Sequence, residues 1–66
     1  MTKEEYEKER AALGSKLWGE LILLRSHTPI NMRNSAAYVS EKYRHYRNYF
    51  AKLETLEDEY KATSEH

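Results

Sequence analysis

Residues 27–35 read HTPINMRNS, and this stretch decides the fold. It is the one place in 66 residues where turn-forming side chains crowd together. Pro29 holds the residue before it, Thr28, out of the α region and towards extended backbone. Asn31, Asn34 and Ser35 compete with helical hydrogen bonds through their own side chains. No second cluster of this kind occurs, so the chain divides into two long helical arms around one corner.

Working back from the corner, the first arm has the marks of a helix at both ends. Thr2 with Glu5 three residues later has the form of a capping box, and Glu4, Glu5 and Glu7 suit the positive end of a helix dipole. Apolar residues recur at Tyr6, Leu13, Leu17, Leu21 and Leu24, with Trp18 and Ile22 widening the stripe. Arg25 and His27 suit the negative end. The pattern predicts a first helix over about 3–26 and a loop over about 27–35. A second helix then starts near Ala36, capped by Ser35 or Asn34, and runs to about residue 62. A rival start, with Thr28 as cap and Pro29 as first helical residue, is also a favoured arrangement. It is set aside because it places Asn31 and Asn34 inside the helix.

The second arm carries Val39, Tyr43, Tyr46, Phe50, Leu53 and Tyr60 on alternating four- and three-residue steps, broken only at Glu57. That is a heptad seam of the kind that drives left-handed supercoiling. Tyr49, Leu53, Leu56 and Tyr60 form a second row beside it. Written as a line, YRHYRNYF (43–50) resembles a basic, aromatic grip for nucleic acid; wound into a helix, its aromatics fall together. Tyr43, Tyr46 and Phe50 are therefore read as core. The expected packing set is Leu17, Trp18, Leu21 and Leu24 from the first helix. Val39, Tyr43, Tyr46, Tyr49, Phe50, Leu53, Leu56 and Tyr60 supply the second. Gly14 and Gly19 lie inside the first helix, where each costs about 1 kcal/mol against alanine. With Ala12 and Ser15, Gly19 makes a small-residue groove suited to close approach of another helix.

A chain of this length buries only roughly 60% of the surface its unfolded form exposes, so it usually needs a staple or a partner. There is no cysteine to supply a disulfide or a thiolate metal site. The expected fold is all-α: a single domain over 1–66, two long antiparallel helices forming a helical hairpin, completed into a small bundle by homodimerisation.

Composition narrows the function classes. Eleven basic and eleven acidic residues cancel, so no global field draws the protein to DNA or membrane. The longest purely apolar run is Leu21–Leu24, against about 20 residues for a membrane span. The charged start MTKEEYEKER does not read as a signal peptide, and a cytoplasmic protein is expected. His27, His45 and His66 lack metal-ligand spacing and are read as solvent-facing. No nucleophile elbow or phosphate-binding loop occurs, so neither an enzyme nor a cofactor is expected.

The charge distribution says more than its sum. Between residues 33 and 52, Arg33, Lys42, Arg44, Arg47 and Lys52 stand against Glu41 alone. Between 53 and 66, Glu54, Glu57, Asp58, Glu59 and Glu65 stand against Lys61. The second helix is thus basic first and acidic last, opposing its own dipole. An antiparallel second copy of that helix would place basic halves against acidic ones, with Arg44 and Arg47 facing Glu54, Glu57 or Asp58. The alternative is a small DNA-binding regulator, in which Arg33, Lys42, Arg44, His45, Arg47, Asn48 and Lys52 contact phosphates or base edges.

The central block LRSHTPINMRNSAAYVSEKYRHYRNYF (24–50) resembles small helical accessory proteins of lambdoid temperate phages, those encoded between the recombination exonuclease and the excisionase. The resemblance implies a helical, non-enzymatic protein that influences lysis–lysogeny or host physiology by binding another protein. It carries over no functional residues.

Overall fold

The structure, a computed structural model, describes residues 1–64. Helix α1 spans Lys3–His27, helix α2 spans Ala36–Ser64, and a short 3-10 turn, Ile30–Met32, lies in the corner between them. The described residues contain no strand. The two helices pack against each other as an antiparallel hairpin.

Local chemistry sets each boundary. The Thr2 hydroxyl accepts a hydrogen bond from the Glu5 amide at 3.1 Å, covering one of the free donors at the α1 start. At the other end Thr28 is extended, at φ −107° and ψ 124°, as a residue before proline must be. Its hydroxyl turns back to the Leu24 carbonyl at 2.7 Å. Pro29 opens the 3-10 turn rather than an α-helix, and the Ser35 hydroxyl then accepts from the Tyr38 amide at 3.2 Å to cap α2. The later start for the second helix is the one adopted.

Arg33 ties the corner together. Its Nε donates to the Thr28 carbonyl at 3.3 Å, and one terminal nitrogen donates to the Arg25 carbonyl at 3.1 Å. Those oxygens lie at the C-terminal end of α1, where the Arg25 carbonyl also accepts from the Thr28 amide at 3.3 Å.

The interhelical seam differs from the sequence expectation. Leu56, 5% exposed, is the one buried hydrophobic residue among the described residues. Along the seam the half-buried side chains include Tyr38, His45, Tyr46, Tyr49, Leu53 and Tyr60 on α2, with Tyr6, Leu13, Leu17, Leu21 and Leu24 on α1. Tyr6 stacks on Tyr60 with ring centroids 4.4 Å apart, and the Met1 carbonyl accepts from the Thr63 hydroxyl at 3.5 Å. At about 100° of rotation per residue, the Leu56 row lies roughly 100° round α2 from the heptad row of Val39, Tyr43 and Phe50.

Tyr43 and Phe50 are therefore not core residues of the hairpin, contrary to the expectation above; they are 60% and 58% exposed. The second row, through Tyr49, Leu56 and Tyr60, is the one turned towards α1. The result is a long, thin plank with principal extents of 52, 17 and 9 Å over its Cα atoms.

Candidate functional site

A plank has two broad faces, and these two differ in chemistry. One carries the heptad row. Trp18 and Ile22 of α1 meet Tyr46 of α2 around a depression of about 200 Å3, with Leu21, Arg25, Tyr38 and Lys42 completing its wall. Val39, Tyr43 and Phe50 continue the stripe along α2, all exposed, and Phe50 leans edge-on against Tyr49 at 5.3 Å. Trp18 is 67% exposed. Leu53 is half-buried at the edge of this face.

The opposite face carries more charged side chains and the larger groove. Ala12, Leu13, Ala51, Thr55 and Leu56 floor a groove of about 530 Å3, rimmed by Glu9, Lys52 and Glu59. Ala12 accordingly lies where small side chains leave space. The close helix approach expected at the glycines is not made within the hairpin: a Cβ built on Gly14 or Gly19 meets nothing within 4 Å.

The cations expected to contact a partner are dispersed. Arg33 is committed to the corner carbonyls. Lys42 stands beside Trp18 and Tyr46 on the aromatic face. Arg44 turns along its own helix to Glu41, at 2.8 Å, on an exposed pair that contributes only a few tenths of a kcal/mol. Arg47, Glu54 and Asp58 are exposed, and Glu57 is half-buried.

His45 is not solvent-facing as expected. Its Nδ1 lies 2.8 Å from Oε2 of Glu20, with the imidazole only 19% exposed. This contact joins the two helices across 25 residues of sequence. His27 is exposed, as read; His66 and Glu65 lie outside the described residues.

Beside that pair, Lys16 and Lys52 approach each other across the polar face. A hydrogen bond with Lys16, reinforced by repulsion between the two like charges, lowers the Lys52 pKa from its ordinary value. Nothing local in the sequence announces this pair or the Glu20–His45 contact, because both depend on the register between the helices.

Among the described residues, no group of three or more His, Cys, Asp or Glu side chains is placed to hold a metal ion, and no helix is long and apolar enough to cross a membrane. What the fold assembles is a surface: an exposed aromatic stripe with charged edges. Comparison with protein families, with curated proteins and with solved structures finds no match to this chain.

Proposed function

We propose that the chain is a non-enzymatic protein–protein interaction module, a small cytoplasmic accessory protein that acts by docking another polypeptide on its aromatic face. One observation carries this reading: Trp18, Tyr43 and Phe50 are each more than half exposed on one face of the hairpin. Contiguous apolar patches of this kind mark interaction sites. Aromatic residues at the centre, with Arg and carboxylates at the rim, are the composition of protein–protein hot spots. The resemblance of residues 24–50 to phage accessory proteins supports a role in lysis–lysogeny or host physiology, exerted through a bound protein.

The alternative, a DNA-binding regulator, needs its cations gathered on one surface to neutralise phosphates together. Here Lys42 borders the aromatic face, Arg44 pairs with Glu41, and Arg33 bonds to the corner. A photo-crosslinking side chain in place of Tyr43 tests the choice in cells. Adducts to polypeptide are expected. Adducts to nucleic acid, with binding that falls steeply as salt is raised, overturn the proposal in favour of the alternative.

A further inference from the structure

Resting on the reading of the aromatic face as a docking surface, we infer that its occupant is a second copy of this chain. The copies pack antiparallel about a two-fold axis level with Phe50 on α2 and Lys16 on α1, so that Trp18 of each seats over Gly14 of the other.

The amount of exposed surface is the first argument. The chain exposes 5372 Å2 at 7.9 kDa. A compact monomer of that mass exposes about 4,400 Å2, roughly 1,000 Å2 less. A standard protein–protein interface removes about 800 Å2 from each partner. The excess on one hairpin thus matches what one such interface covers.

Charge fixes where the axis lies. On α2 an axis at Phe50 sets Phe50 against its own copy, Arg47 beside Glu54 of the partner copy, and Lys42 beside Glu57 of the partner copy. Arg47 and Glu54 both lie on the outer flank of the stripe, and a two-fold axis across antiparallel helices brings equivalent flanks together.

The first helix narrows the pairing. The contacts Tyr6–Tyr60, Glu20–His45 and Met1–Thr63 set the register between the helices, which places Phe50 level with residues 14–16 of α1, Lys16 by the Tyr6–Tyr60 stack. The same axis therefore crosses α1 within that span, and the pairing taken has it at Lys16. It brings Arg25 level with Glu7 of the partner copy and Trp18 level with Gly14 of the partner copy. At about 100° per residue all four of these positions lie on the aromatic side of α1. Within the span the register allows, Lys16 is the crossing that joins opposite charges and a bulky-to-bare pair.

Gly14 then has a purpose that the isolated hairpin does not give it. A Cβ there meets nothing within 4 Å, yet glycine weakens a helix by about 1 kcal/mol. An indole laid against bare backbone accounts for it. The assembly is a four-helix bundle, with α2 against α2, α1 against α1, and the aromatic faces inside.

The test uses the full chain at tens of micromolar. Sedimentation equilibrium should show a dimer, and emission of the single tryptophan, Trp18, should move to shorter wavelength as concentration rises. Gly14→Leu fills the seat, and its Cβ meets nothing in the hairpin within 4 Å. Helicity should persist, while the dissociation constant rises about tenfold or more, equivalent to ~1.4 kcal/mol. Arg25→Glu should weaken the dimer, and adding Glu7→Arg should restore it, which keeps the pairing testable even if Gly14→Leu unfolds. A wild-type monomer overturns the inference, and the cross-link from position 43 then judges the docking reading separately. A dimer indifferent to Gly14→Leu and to both charge changes rejects this pairing.

Discussion

Leu56 and Phe50 stand six residues apart on one helix, yet one is the buried centre of the hairpin and the other projects into solvent. Both belong to apolar rows at helical spacing. The row through Phe50 is the longer and more regular, running from Val39 to Leu53 before Glu57 breaks it, while the row through Leu56, which takes Tyr60, is interrupted by His45. The shorter row won the intrachain contact. It did so because α1 supplies a complement to it: Glu20 for His45, Tyr6 for Tyr60, and leucines in between. A heptad row in a small protein therefore need not face the helix that follows it in the chain. When a second row faces inward, the more regular one becomes the outward surface.

The contrast breaks most visibly on truncation. Leu56→Ala should cost about 2–4 kcal/mol in chemical denaturation, as deletion of a buried leucine does. Phe50→Ala, measured at low protein concentration, should cost under about 1 kcal/mol, as exposed substitutions usually do. If the two cost the same under dilute conditions, the division into inner and outer rows is wrong. Raising the concentration sharpens the comparison, since a partner that binds only the folded form adds stability by mass action. The cost of Phe50→Ala should then grow, and that of Leu56→Ala should not fall.

A middle-sized effect belongs to the corner. Arg33→Ala removes two hydrogen bonds to carbonyls at the end of α1 and should cost about 1 kcal/mol. Arg47→Ala, an exposed arginine on the outer stripe, should leave monomer stability within about 0.5 kcal/mol. The pair of variants separates an arginine that holds the fold from one that is free to serve a partner.

Gly19→Ala should stabilise the chain by about 0.5–1 kcal/mol, because the added methyl meets nothing and the helix gains propensity. A loss in thermal melting would mean that something approaches that position.

The smallest effect concerns the polar face. Lys16 beside Lys52 disfavours the charged Lys52 in the folded chain. A depressed lysine pKa destabilises the fold at pH values below it, and the penalty disappears as pH rises to the ordinary lysine value. Lys16→Gln should raise the Lys52 pKa, read from the titration of its side-chain NMR signals. No change would show that the two ammoniums do not meet in solution.

These contrasts also show what was legible in the sequence. Helix ends were legible because their causes are local. Thr2 caps within three residues, Pro29 restricts its neighbour, and Ser35 caps within three more. The all-α hairpin followed from the single corner. The facing of α2 was not legible, because two rows of similar apolarity compete and only the other helix decides between them. His45 looked like a surface histidine for the same reason: its carboxylate partner is 25 residues away. Arg33 looked like a free cation because a side chain reaching back eight residues to a carbonyl leaves no pattern in the sequence.

The cross-links of the seam also carry a consequence for the order in which the chain assembles. Glu20 and His45 close a loop of 25 residues; Tyr6 and Tyr60, at the far end of the plank, close a much longer one. Loop-closure entropy grows with the logarithm of loop length, which makes the outer contact about 0.7 kcal/mol harder to form first. The hairpin should accordingly zip from the corner outward and open in the reverse sense. Amide hydrogen exchange should then be quickest near the paired ends of the chain and slow progressively towards the turn of α1 that faces His45. With so few buried side chains to make the transition all-or-none, the gradient itself is the observable, and a flat exchange profile along both helices would contradict it.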